Sequence, residues 1–170
     1  MSLPDAEAAL SELVERMRGA IPWDARFVGI YSGGAWLAER LAAALPGDHP
    51  VGYIDVSFHR DDYSRKGLKP EVKATRLPFE VEGASIVLVD DVLYTGRSVR
   101  AAMNELFDFG RPERIELAVL VDRGGRELPV EAAYVGARLA VARELSVVLT
   151  READGRLVLG TKPATEGHRA

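Results

Sequence analysis

The stretch from Ser85 to Ser98, S-I-V-L-V-D-D-V-L-Y-T-G-R-S, constrains this chain more than any other. Ile86 to Val89 is a continuous apolar run, as expected of a strand buried on both faces of a parallel sheet. Asp90 and Asp91 follow at its carboxyl end. Tyr94-Thr95-Gly96-Arg97-Ser98 then makes a short turn that carries hydroxyls and a glycine. A helix is expected next, with Val99, Ala102, Met103 and Leu106 on its apolar face. In an open α/β sheet, ligands bind beyond the carboxyl ends of the strands. A turn of this kind aims backbone N–H groups and hydroxyls toward the positive end of the helix, which suits a phosphate. Two adjacent carboxylates suit ribose hydroxyls, or a Mg²⁺ ion held through water. Each piece alone is commonplace, since Asp-Asp often closes a strand in a solvated turn and T-G-x-S often only opens a helix. Both pieces within one short stretch, behind an apolar strand and before an amphipathic helix, indicate a site for a phosphoribosyl group. The chain has neither a Walker A loop nor a G-x-G-x-x-G dinucleotide fingerprint.

The totals narrow the field. A chain of 170 residues fits one domain, taken as 1–170 with a flexible tail at 160–170. Lys and Arg number 22 against 26 Asp and Glu, a net charge of −4 that does not suggest a nucleic-acid binder. There is no cysteine, which excludes disulfides and thiolate metal sites, and His49, His59 and His168 lack metal-ligand spacing. No signal-like segment opens the chain and no apolar run approaches membrane length. The expectation is a cytoplasmic protein with no membrane partner.

Alternating strand and helix patterns predict an α/β fold: a mostly parallel sheet of about five strands, helices on both faces, and a small antiparallel hood. Pro4 to Ala20 reads as an amphipathic packing helix, with Pro4 at its first position and Leu10, Leu13, Val14 and Met17 in the buried stripe. Arg26 to Ile30 reads as a strand. Tyr31-Ser32-Gly33-Gly34 turns into a helix from about Ala35 to Leu45, with glycines that let backbone approach an anion. Val51 to Phe58 reads as a strand, and Val72 to Leu77 as a returning one across a charged loop. Gly110 and Pro112 stop the central helix. Ile115 to Val121 is another apolar strand, ending at Asp122-Arg123-Gly124-Gly125-Arg126. Tyr134-Val135-Gly136 reads as a short strand with a turn. Leu145 to Thr150 and Arg156 to Leu159 pair around a turn at Glu152 to Gly155, and Thr161 to Ala170 reads as a frayed tail.

Val87 to Ser98 resembles the phosphoribosyl-pyrophosphate (PRPP) signature of type I phosphoribosyltransferases. It is closer still to the branch of pyrimidine-operon attenuators with uracil phosphoribosyltransferase activity, the PyrR-type family. Ile54 to Asp62, Gly110-Arg111-Pro112 and Leu117 to Pro129 resemble the same branch, and the similarity runs from about Val28 to Thr150. The resemblance implies the type I phosphoribosyltransferase fold, with a flexible hairpin that closes over the site around Arg60. It implies that Val92, Leu93, Tyr94, Thr95, Gly96, Arg97 and Ser98 hold a nucleotide phosphate, with Asp90 and Asp91 at the ribose. Ser32, Gly33 and Gly34 match the pyrophosphate turn. Related uracil enzymes carry a Thr-Arg-Gly-like triplet there, so an arginine is missing here.

Arg60 is expected on the pyrophosphate or phosphate side, and Asp90, Asp91 and Arg60 form the expected catalytic set. Asp122 and Arg123 are expected beside the base; Arg123 and Arg126 are also candidates for phosphate contact or for a structural role such as a salt bridge at a subunit interface. Leu139 to Glu144 is expected as the hood loop, with backbone groups of Val141 and Ala142 offered to the base. Mg²⁺ is expected with PRPP, through the substrate rather than as a direct protein site.

The implied function is conversion of uracil and PRPP to UMP and pyrophosphate. The alternatives are a UMP-responsive RNA-binding regulator of pyrimidine-operon attenuation, a catalytically weakened nucleotide sensor, and another base specificity. The acidic balance, the acidic first helix and Gly125, where the family commonly carries a basic residue or histidine, argue against RNA. A homodimer or higher homo-oligomer is implied by the resemblance.

Overall fold

The computed structural model describes residues 2–57 and 74–165. In chain order the elements are α1 (Ala6–Met17), β1 (Arg26–Ile30), α2 (Gly33–Ala44), β2 (Val51–Ile54), β3 (Ser85–Leu93), α3 (Arg97–Asp108), β4 (Arg114–Asp122), β5 (Tyr134–Arg138), β6 (Leu145–Arg151) and β7 (Leu157–Pro163). Five strands make a parallel sheet in the order β2-β1-β3-β4-β5, and β6 and β7 pair antiparallel beside it. The connection from β1 runs to β2 on one side, and that from β3 runs to β4 on the other. The crevice between β1 and β3 is therefore the switch point of the sheet, where open α/β folds place ligands.

The alternation of β3 divides the core. Val87 and Val89 join α1, α2 and the hairpin residues Leu149, Leu157 and Leu159 in one cluster. Ile86 and Leu88 join Val99, Ala102 and Leu106 of α3 in the other. A strand buried on both faces must be apolar throughout, which is why Ile86 to Val89 lacks the half-polar pattern of a surface strand. Within α1, Leu10, Leu13, Val14 and Met17 are all buried, as their spacing predicts.

Several boundaries differ from the sequence reading. Helix α1 begins later, because the Asp5 carboxylate accepts the Ala8 amide at 2.8 Å and caps it; Pro4 lies outside the helix. Helix α2 begins at Gly33, so two residues read as a turn are helical. Strand β2 stops at Ile54, and the expected return at 72–77 amounts, over its described part, to one antiparallel bridge from Arg76 to Tyr53. Phe58 to Lys73, including Arg60 and the hairpin, lie outside the described residues, as do 166–170. The segment read as a frayed tail is instead ordered through Pro163, because Thr161, Lys162 and Pro163 pair with Val147, Ser146 and Leu145. No described helix is long and apolar enough to cross a membrane.

Glu7 ties the hairpin to the helices. Its carboxylate takes both outer nitrogens of Arg40, at 2.6 and 3.2 Å, and the Leu157 amide at 2.9 Å. These bonds, Arg40 first, hold the carboxyl below its ordinary value against the opposing effect of burial. A carboxyl lowered in the folded state contributes stability above its unfolded value and loses it as pH falls through the folded one. Glu7→Ala is expected to cost about 1–2 kcal/mol at neutral pH, read by denaturant unfolding, with the deficit shrinking at acid pH.

Candidate active site

The site is built on the carboxyl end of β3. Sequence reading ends that strand at Val89, but pairing with β4 continues past the acidic pair, with Asp90 opposite Val119, Val92 opposite Val121 and Leu93 opposite Asp122. The carboxylates therefore rise from the strand itself and are fixed by its backbone. Asp90 accepts the Asp91 amide and Asp91 accepts the Val92 amide, both at 2.8 Å. Each carboxylate keeps acceptor capacity for a ligand hydroxyl.

The turn after β1 stands directly against this pair. An ideal Cβ on Gly33 would lie 2.4 Å from an Asp91 carboxylate oxygen, and one on Gly34 2.4 Å from the Val89 carbonyl oxygen. The Tyr31–Ser32 peptide bond is cis. The absent arginine thus has a steric counterpart, since neither glycine has room for any side chain. What the turn offers an anion is backbone.

Residues 94–98 cross the mouth of the crevice. Gly96 precedes α3 at φ +94°, a conformation that favours glycine, and supplies no capping side chain. The Arg97 amide is taken up by Thr95, which leaves the Ser98 and Val99 amides of the first turn of α3 for an anion. Thr95 is buried beneath the turn, where its hydroxyl accepts the Arg97 amide at 3.3 Å. Its carbonyl accepts the Glu127 and Leu128 amides. Arg97 points to Glu127 at 3.3 Å, on the outer side of the loop.

Asp90, Asp91, Val92, Leu93, Tyr94, Gly96 and Ser98 line one cavity with Arg123. Its far wall is the hairpin, through Ser146, Val147, Val148, Leu149 and Lys162. Thr95, Arg97, Asp122, Val141, Ala142 and the turn residues Ser32, Gly33 and Gly34 are not among the lining residues. Lys162 was missed in sequence because it falls in the segment read as a tail; Ser146 and Val148 lie in a strand whose cavity-facing side no sequence pattern marks.

The loop after β4 braces the cavity. Burial is the strongest influence on the Asp122 carboxyl and would raise it. Arg126 at 2.7 Å, the Gly124 amide at 2.9 Å and Arg138 at 2.9 Å together outweigh that and hold it below the ordinary range. Arg126 also donates to the carbonyls of Val130 at 2.8 Å and Tyr94 at 3.0 Å. It therefore acts as a strut between Asp122 and the turn at 94–98. Arg123 is buried, with its guanidinium carbon 3.9 Å from the Tyr94 ring centroid. It donates to the carbonyls of Leu145 at 2.8 Å, Ala142 at 3.2 Å and Val141 at 3.4 Å. Rather than reaching a phosphate, it pins the hood segment to Tyr94. The Ala142 carbonyl also accepts the Leu145 amide at 3.0 Å, so both its lone pairs are engaged and it is closed to a base.

Among the described residues no group of three or more His, Cys, Asp or Glu stands close enough to hold a metal ion alone. The donor set fits a Mg²⁺ ion that arrives on substrate oxygens, with Asp90 and Asp91 within reach through water.

A parallel sheet in this order, an acidic pair on its central strand, a phosphate-sized turn and a hood hairpin together define a phosphoribosyltransferase of type I. The phosphoribosyl transferase domain family matches residues 4–146, and the chain belongs to that family, in its PyrR-type branch. The bifunctional protein PyrR of Ralstonia nicotianae is 54% identical over 155 residues, covering 89% of this chain and 88% of that protein. Its namesake from Pseudomonas fluorescens Pf-5 is 45% identical over 163 residues, covering 94% and 97%. The fold is also that of a hypoxanthine-guanine phosphoribosyltransferase from Bacillus anthracis, at TM-score 0.65 and 17% identity over 85% of each chain. The hypoxanthine phosphoribosyltransferase of Trypanosoma cruzi gives 0.64 at 19% identity over 92% and 94%.

Proposed function

We propose that the chain transfers the phosphoribosyl group of PRPP to uracil, forming UMP and pyrophosphate at the cavity between β3 and the hairpin. The observation that carries this reading is the Asp90–Asp91 pair rising from β3 beside an uncapped helix start in one cavity. The 5′-phosphate sits on the amides of the first turn of α3 with the Ser98 hydroxyl. Asp90 and Asp91 hold the ribose hydroxyls. The diphosphate lies toward Ser32, Gly33 and Gly34, which bind it through backbone N–H groups. In the reaction the bond between C1′ and the diphosphate oxygen breaks, and the leaving group keeps the electron pair. Uracil N1 bonds to C1′ and gives up its proton. Positive charge grows on the ribose ring meanwhile, and two fixed carboxylates nearby lower its energy. Mg²⁺, brought in with PRPP, would neutralise the diphosphate. Arg60, which the family resemblance puts on the pyrophosphate or phosphate side, lies outside the described residues.

The word bifunctional in the relatives' name supports a second, regulatory role, which the family resemblance makes the binding of pyrimidine-leader RNA. Gly125 at φ +80° argues that any such contact avoids this position, because a Cβ there would stand 2.4 Å from the Tyr94 ring.

Steady-state turnover with PRPP and Mg²⁺, followed by pyrophosphate release, tests the enzymatic reading. Uracil is expected to turn over in preference to hypoxanthine, guanine, adenine and orotate. Turnover of a purine alone, or of no base, contradicts it.

A further inference from the structure

The hairpin wall of the cavity carries a cation that the mechanism above leaves unused. In the antiparallel register Ser146 lies opposite Lys162, and Val148 opposite Gly160. Directly opposed residues share a face of the ribbon. Leu149 and its partner Leu159, with Leu157, take the other face and enter the core. Ser146, Val148 and Lys162 lie on the opposite face, and all three line the cavity together with Val147 and Leu149. Pairing with β6 sets the exposed Lys162 beside Ser146 on the hairpin wall of the cavity.

Its chemistry contrasts with the opposite wall. Asp90 and Asp91 present acceptors only, whereas the Lys162 ammonium presents donors only. Among the described residues no carboxylate lies within ion-pair distance of Lys162. The carbonyls of Val141 and Ala142, which would favour a base rich in N–H groups, are held by Arg123 instead. The hairpin wall therefore suits a base edge bearing oxygen acceptors.

We propose that Lys162 is a base-recognition residue whose ammonium donates to a carbonyl oxygen of the pyrimidine. The inference rests on the uracil reading above and adds to it the side chain that selects an oxo-pyrimidine. It also gives a purpose to the ordering of 161–163: pairing with β6 carries the lysine to the site.

The test is isothermal titration of UMP and of ribose 5-phosphate into the full chain, its Lys162→Met variant and its Lys162→Arg variant. Methionine keeps the length and apolar stem while removing the charge. Lys162→Met is expected to weaken UMP about tenfold and to leave ribose 5-phosphate within about twofold, as loss of a charge-assisted bond to the base alone requires. Lys162→Arg is expected to restore most of the UMP affinity. Unchanged UMP affinity in Lys162→Met overturns the proposal. So does equal weakening of both ligands, which would place the cation on the phosphate, and so does failure of the unaltered chain to bind UMP. Failure of uracil turnover by a chain that still binds UMP would overturn the enzymatic reading alone, and the same titrations would still decide Lys162.

Discussion

Replacing both Asp90 and Asp91 by asparagine is expected to lower phosphoribosyl transfer by at least about a thousandfold, the scale of losing charge stabilisation at a developing cation. The geometry makes the substitution clean. Each carboxylate accepts the amide of the next residue, and an asparagine carbonyl oxygen can keep that bond. What is lost is two negative charges lining the cavity. Thermal unfolding of the double variant should stay close to that of the unaltered chain, so a fall in activity reports chemistry rather than folding. Full activity in the double variant would remove the acidic pair from the mechanism.

The second large effect is on stability. Gly34→Ala is expected to cost about 3 kcal/mol, because overpacking a tight contact against rigid backbone forces displacement. The obstructing atom is the Val89 carbonyl oxygen, at 2.4 Å from the new Cβ, with the Asp90 Cα at 3.2 Å. Neither belongs to a flexible side chain, so α2 must move away from β3. The same movement would pull the pyrophosphate turn off the acidic pair, and residual activity should fall with stability. Gly160→Ala is the control: nothing lies within 4 Å of its Cβ, and its effect should stay within about 0.5 kcal/mol. Denaturant midpoints of the two variants measure the contrast. Equal midpoints would mean that the turn is not wedged against β3.

Much of this architecture is legible from residues alone. The apolar run at Ile86 to Val89 marks a doubly buried strand, and helical spacing picks out the buried stripe of α1. The acidic pair and the turn after it line one cavity. The misreadings have specific causes. An Asp-Asp pair has low strand preference, so β3 looks finished at Val89; pairing with β4 overrides that preference. Gly160 and Pro163 make the end of β7 look irregular, yet a strand with one neighbour tolerates both. Arg123, expected beside the base, does line the cavity, but its hold on the hood is invisible in sequence, because its partners are backbone carbonyls about twenty residues away. Lys162 was hidden by the same error that shortened β7. The glycines at 33 and 34 signal an anion turn in sequence, but only the packing against Asp91 and Val89 explains why no arginine stands there.

The most direct test of the account is a crystal structure of the chain with UMP. The account predicts the 5′-phosphate on the amides of Ser98 and Val99, the ribose hydroxyls on Asp90 and Asp91, and a pyrimidine carbonyl oxygen within hydrogen-bond distance of the Lys162 ammonium. A nucleotide bound elsewhere, or with its base turned away from the β6–β7 hairpin, would contradict it.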